Sequence, residues 1–176
     1  MDIQAAWTRL DTPGEDHCSL FSIPDGYRLE GNARFIEAGV FVSIDYRVDY
    51  AADWSTKSAT VNRDGVLRQI RREGRWFIDN AAVSDIDDLL DVDFGFTPAT
   101  NLAQVRRLDL AIGQEAELYV AWMDADQASL VGLWQYYRRL DALTYAYEAP
   151  EYQATLVFSP SGFVADYPRL WKMTPR

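Results

Sequence analysis

Residues 40–50 alternate with period two. Val40, Val42, Ile44, Tyr46, Val48 and Tyr50 fall on one side, and Phe41, Ser43, Asp45, Arg47 and Asp49 on the other. Successive side chains of an extended chain point to opposite faces, so this run predicts an antiparallel strand with one dry and one wet side. Such a strand needs partners, and its neighbours supply them. Residues 5–10 are closed by Asp11-Thr12-Pro13-Gly14, residues 17–23 by Pro24-Asp25-Gly26, and residues 27–37 alternate through Tyr27, Leu29, Ala33 and Phe35 before Gly39. Proline presets φ and glycine accepts positive φ, so each break reads as a turn. Residues 57–62 and 66–72 flank Arg63-Asp64-Gly65, a hairpin signal. Gly74 then precedes residues 75–79, with Trp76 and Ile78 on one face.

The middle of the chain reads differently. Residues 83–93 carry Asp85, Asp87, Asp88, Asp91 and Asp93 with no basic residue, which predicts a solvated acidic loop. Ile86, Leu89 and Leu90 predict one short helical turn within it. Residues 94–101 are turn-rich around Pro98, and residues 102–110, which fit neither period well, read as a short helix or a strand. Strands resume at residues 116–123, 133–137, 143–148, 152–159 and 163–167, the last two joined through Pro160-Ser161-Gly162. With no repeat or linker to divide it, the chain of residues 1–176 reads as a single β-rich domain. The expected fold is mainly β: a large curled antiparallel sheet of roughly ten or eleven strands with one or two short helices. Sheets this large curl, close or split.

Charge narrows the partners. The chain carries 17 basic and 27 acidic side chains, a net charge of −10, which disfavours nucleic acid and anionic membrane surfaces. Cys18 stands alone, so no intramolecular disulfide forms. Met1-Asp2-Ile3-Gln4 has neither a basic nor an apolar signal-peptide region, and no apolar run approaches the ~20 residues of a membrane span, so a cytoplasmic location is expected.

His17 is the single histidine, and any Ser–His or Cys–His pair must use it. Its neighbour Cys18 points to the opposite face of a strand. One histidine and one cysteine make no zinc site of the usual composition, and no cofactor is implied. Asp91, Asp93 and Gly95 lack the further ligands of a calcium loop. Arg106-Arg107 lie beside apolar Val105 and Leu108, so one of them should turn inward and pair with Asp91 or Asp93. The sharper alternative is a head-group clamp, since the guanidinium fork suits phosphate or sugar hydroxyls. Trp54, Trp76, Trp122, Trp134, Tyr136, Tyr145, Tyr147 and Trp171 either fill the core or line a lipid pocket.

Several of these landmarks fall in a recognisable order: Glu30-Gly31, Asp53-Trp54, Gly74-Arg75-Trp76, Asp91-Val92-Asp93, Thr97-Pro98, Thr100-Asn101 and Arg106-Arg107-Leu108. Gly162-Phe163-Val164 and Asp166-Tyr167-Pro168 close the series. The series resembles a family of bacterial glycolipid-binding proteins, a domain of unknown function, over nearly the whole chain. The resemblance departs at Leu102-Ala103-Gln104, where a proline is missing. It implies a half-barrel similar to lipoprotein carriers, curled around an apolar cavity. Those carriers work outside the cytoplasm, whereas no export signal is read here. By the same resemblance the protein is a non-enzymatic binder of a lipid-like amphiphile of the glycolipid type. Arg106, Arg107, Asp91, Asp93, Asn101, Trp76, Trp122 and Tyr167 are the expected site residues, with Arg106, Asp93 and Asn101 at the head group. Two rival readings remain. One is a hydrolase using Asp91 or Asp93 with an arginine. The other is a protein–protein module or homodimer built on exposed aromatics.

Overall fold

The computed structural model describes residues 2–175. Its first half is a meander of β1 (Ile3–Arg9), β2 (Gly14–Ile23), β3 (Gly26–Glu37), β4 (Val40–Ala51), β5 (Thr56–Arg63), β6 (Val66–Arg72), β7 (Trp76–Ile78) and β8 (Ala81–Ala82). In β4, Val42, Ile44, Tyr46, Val48 and Tyr50 are all buried. Burying an aliphatic side chain of this size contributes about 1.5–3 kcal/mol. A one-residue slip would exchange this face for Ser43, Asp45, Arg47 and Asp49, so the register is strongly fixed.

After β9 (Val92–Phe94) and the helix α1 (Asn101–Leu108), the second half runs through β10 (Glu115–Met123), β11 (Val131–Arg139) and β12 (Thr144–Ala149). It ends with β13 (Tyr152–Phe158), β14 (Val164–Tyr167) and β15 (Trp171–Met173). All fifteen strands found among the described residues join one sheet, ordered β8-β7-β6-β5-β4-β3-β2-β1-β15-β14-β13-β12-β11-β10-β9 and not closed into a barrel. The two halves meet where β1 pairs with β15, Trp7 opposite Met173. The pairs are antiparallel except β9 with β10, which is parallel.

The count exceeds the expected ten or eleven because short strands such as β8, β9 and β15 have no period of their own to read. Where a short helical turn is expected near residue 86 the chain makes one reverse turn and no helix, Leu89 N–H donating to the Ile86 carbonyl at 3.1 Å. The acidic loop is solvated only in part. Asp85 and Asp88 are exposed, whereas Asp91 and Asp93 are buried.

Residues 92–104 occupy the inside of the sheet's curve. Phe94 and Phe96 stack on each other at 5.1 Å and meet Tyr46 of β4 edge-on at 6.5 and 6.0 Å. Asn101 reaches Tyr137 of β11, and Leu102 lies against Gly162 after β13. One segment touching strands of both halves requires the sheet to bend around it. The space that the resemblance gives to an apolar cavity is therefore filled over this stretch by the protein's own chain. The first turn of α1 (Asn101, Leu102, Ala103, Gln104) is buried, and its last turn carries Arg106 and Arg107, where cations suit the helix dipole. Asp109 caps it in the left-handed conformation (φ 42°), its N–H donating to the Val105 carbonyl.

Candidate functional site

Two regions concentrate polar chemistry: a network inside the curve and a groove at one end of it. The network has three buried carboxylates, Asp16, Asp93 and Asp91. Asp16 of β2 accepts from the Tyr46 hydroxyl at 3.0 Å and from the Thr97 hydroxyl. Tyr46 sits two strands away and crosses β3 at Gly31, where any Cβ would stand 2.3 Å from its ring and hydroxyl. Burial lifts the Asp16 pKa to about 6, although Thr97 and Tyr46 pull the other way. Asp93 accepts from Thr100 Oγ1 at 2.6 Å and from Gln135 Nε2 at 2.7 Å. Burial raises its pKa too, against those two donors. Asn101 Nδ2 donates to the Tyr137 hydroxyl at 3.0 Å.

Asp91, also buried, accepts two-pronged contacts from Arg107: Nε at 2.9 Å and Nη2 at 2.5 Å. The carboxylate raises the Arg107 pKa above its ordinary value. One of the two adjacent arginines thus turns inward onto an aspartate, as the sequence leads one to expect. Trp76 is buried with its Nε1 donating to the Leu89 carbonyl at 3.0 Å. Trp122 is half-buried on β10. Tyr167 packs edge-on against Tyr147 at 5.9 Å and Tyr152 at 5.3 Å. The expected site residues are thus dispersed, and of the eight only Arg106 lines the groove.

That groove measures about 360 Å³. Its walls come from the β4–β5 turn (Trp54), the end of α1 (Val105, Arg106, Asp109), the β11–β12 turn (Arg139, Ala142, Leu143), Tyr145, Phe158 and the turn that follows. Trp54 holds a left-handed backbone (φ 69°), uncommon for a bulky residue. The turn around it enforces this. Trp54 N–H donates to the Ala51 carbonyl at 3.0 Å, and Asp53 accepts from Ser55 N–H at 2.9 Å and its hydroxyl at 2.6 Å. One face of the indole stacks on Tyr27 at 3.9 Å, nearly parallel. The Arg106 guanidinium lies 5.9 Å from the Trp54 ring centroid, and its Nη2 donates to the Ser161 carbonyl at 2.9 Å.

Gly162 makes room for that arginine. A Cβ there would meet Leu102 Cδ1 at 2.7 Å and Arg106 Nε at 3.0 Å, on a backbone with φ +93°. Arg139 stiffens the far wall by donating to the carbonyls of Leu110, Asp141 and Ala142 at 2.8, 3.1 and 3.1 Å. Tyr145 and Phe158 meet edge-on at 5.1 Å on the floor.

A guanidinium with several N–H donors, an exposed carboxylate at Asp109 and aromatic rings suit a polar ligand that both donates and accepts. A wider open groove of about 510 Å³ lies over β1 and β13–β15. Its charged residues, Lys172 and Asp166, already bond to each other at 2.7 Å, which leaves less to hold a head group. Sequence reasoning had Trp54 among the aromatics and the landmarks but not in the site. Asp109, Arg139 and Tyr145 come together only through the fold. The one local signal is an aspartate just past the helix, a residue type that tolerates the left-handed cap.

Among curated proteins nothing matches the chain. Among solved structures, the crystal structure of a DUF1089-family protein from Pseudomonas aeruginosa, at 1.80 Å resolution, is similar. It is 31% identical with a TM-score of 0.75, over 89% of this chain and 91% of that one. Among the described residues no helix is long and apolar enough to cross a membrane. Residues 4–173 match a protein family as a whole, and the chain belongs to that family, described as "Putative glycolipid-binding".

Proposed function

We propose that the protein binds a lipid-like amphiphile of the glycolipid class without altering it, and that the head group sits in the groove under Arg106. The observation that carries this reading is the Arg106 guanidinium over Trp54, with Asp109 on the same groove wall. Sugar hydroxyls can accept from the guanidinium and donate to the carboxylate, and a ring face of C–H groups suits the aromatic floor. The family description supports the ligand class. With the inside of the curve filled by residues 92–104, the acyl part lies along the apolar groove residues Val105, Leu143 and Phe158. Each methylene buried there contributes about 0.8 kcal/mol, so the chain supplies affinity and the head group selectivity.

Binding is favoured over hydrolysis because Asp16 and Asp93, the interior carboxylates with raised pKa, are enclosed by their own partners and neither lines the groove. Native mass spectrometry of protein purified from a bacterial host, followed by organic extraction, tests the reading. A co-purifying amphiphile near one equivalent, lost in Arg106→Ala, is the expected result. A clean apo mass with no uptake of added glycolipid sinks it.

A further inference from the structure

Two loops beside the groove display apolar side chains with nothing over them. Ile112, in the turn before β10, is 64% exposed, and Leu140 and Leu143, in the β11–β12 turn, are 43% and 38% exposed. Ala111 and Ala142 are exposed between them. The loops are tied together. Gly113 N–H donates to the Arg139 carbonyl at 2.8 Å and Arg139 N–H to the Gln114 carbonyl at 2.9 Å. The Arg139 guanidinium bridges them through the Leu110, Asp141 and Ala142 carbonyls.

Asp141, the acid of the β11–β12 turn, spends its carboxylate inside its own turn, on Leu143 N–H at 2.9 Å, Thr144 N–H at 3.0 Å and the Thr144 hydroxyl at 2.5 Å. Those donors hold its pKa below the usual carboxylate value. Polar groups therefore fix the loops, and Ile112, Leu140 and Leu143 project from them beside the exposed Asp109, Gln114 and Asp141.

We infer that this lip seats the protein on a lipid surface, with Ile112, Leu140 and Leu143 entering the interfacial layer and the groove opening at head-group level. The inference rests on the amphiphile-binding reading and adds the surface from which the ligand is taken. Three observations select a bilayer as the occupant. The lip is continuous with the groove, since Leu143 and Ala142 belong to both. Its area is small: three partly covered side chains offer roughly a few hundred Å², against the ~1,200 Å² of total burial that a stable protein pair needs. Interfacial insertion has no such threshold and scales with the apolar area immersed. Finally, the net charge of −10 opposes anionic surfaces, which commits the lip to neutral or zwitterionic ones.

Flotation with phosphatidylcholine vesicles, with and without a monoglycosyl diacylglycerol as minor component, tests this on the full chain. Ile112→Asp/Leu140→Asp changes two lip residues that do not line the groove. It should weaken vesicle partitioning by about tenfold or more. Phe41→Asp, an equally exposed apolar residue (60%) at the opposite end of β4 from Trp54, should leave partitioning unchanged. A wild-type protein that does not float, or a double variant that floats as well as wild type, overturns the inference. So does a wild-type dimer in sedimentation velocity that the double variant dissolves, since a second copy would then cover the lip.

Titration with a soluble short-chain alkyl glycoside separates this from the groove reading. Glycoside binding lost in Arg106→Ala but kept in the double variant, together with absent flotation, removes the lip and leaves the groove. Flotation that depends on the lip, with glycoside binding unchanged in Arg106→Ala, removes the head-group assignment instead.

Discussion

Replacing Asp16 by asparagine should make the protein more stable at neutral pH, by an amount that pH itself controls. Asp16 is fully buried, and the hydroxyls of Tyr46 and Thr97 point at it. Burial raises its pKa from 3.8 to about 6. At about 1.36 kcal/mol per unit, that displacement corresponds to roughly 3 kcal/mol. The folded state holds this proton more tightly than the unfolded chain does. The contribution to stability is therefore fully present below 3.8 and is lost as the pH rises through about 6. Asn is nearly the same size, accepts from both hydroxyls and carries no charge, but its amide N–H groups need acceptors among the same partners. We expect Asp16→Asn to exceed the parent by between about 1 and 3 kcal/mol above pH 7 and to match it near pH 4. Urea unfolding of both proteins across this range, followed by tryptophan fluorescence, measures the gap. Because only the difference is read, exposed carboxylates that titrate in both proteins cancel. A gap that stays constant with pH, or a variant less stable throughout, would refute the charge-burial argument.

Other perturbations follow from the same geometry. Arg107→Ala leaves the Asp91 carboxylate, 1% exposed as a side chain, without its cation, and should cost about 3 kcal/mol or more in denaturant unfolding. Asp91→Leu combined with Arg107→Met should recover most of that loss, because no lone charge then remains inside. Gly31→Ala drives a methyl group into the Tyr46 phenol and should destabilise by about 2 kcal/mol, seen as a lowered urea midpoint at unchanged slope. Gly162→Ala strains a left-handed backbone and displaces Arg106. Calorimetric titration should show weaker alkyl glycoside binding, alongside a stability loss of about 1 kcal/mol. Arg106→Ala, by contrast, should shift stability by no more than about 0.5 kcal/mol, since the residue is exposed and makes a single carbonyl bond.

The long hairpins were legible because burial on one face writes period two into the sequence, as in β4, and because Pro24-Asp25-Gly26 and Arg63-Asp64-Gly65 mark their ends. The short strands were not. Two or three residues, as in β8 and β15, contain no period, and they are strands because a neighbour supplies the hydrogen bonds. Helix α1 stays open between helix and strand in the sequence for a different reason. Its inward face includes Asn101 and Gln104, which are buried because Tyr137 and the Val92 carbonyl partner them, so the apolar spacing that would announce a helix is broken. Asp91 and Asp93 misled in the same way. Their charge argues for solvent, and the partners that bring them inside are Arg107, Thr100 and Gln135, the last of these far along the chain. In the site, sequence could point to Arg106 and Trp54 but not bring them together, because the β4–β5 turn and the end of α1 meet only once the sheet has curled.

The residues that carry the family resemblance divide along that line. Gly31, Asp91, Asp93, Thr97, Thr100, Asn101 and Arg107 belong to the interior, where each either donates to, accepts from or makes room for another. Their joint effect is to pin residues 92–104 inside the curve and so place α1 across one end of the sheet. Trp54 and Arg106 instead face the groove that this placement creates. A chain that kept the interior set would keep the fold and the position of α1 with other side chains at the exposed positions Arg106 and Asp109. The exposed groove residues Arg106 and Asp109 are therefore free to change with the ligand at small cost to stability, and head-group preference should follow them and not the interior motif. Arg106→Lys combined with Asp109→Asn, which keeps a residue type suited to the left-handed cap, tests this: it should alter which amphiphile co-purifies while the unfolding free energy from urea titration stays within about 1 kcal/mol of the parent's.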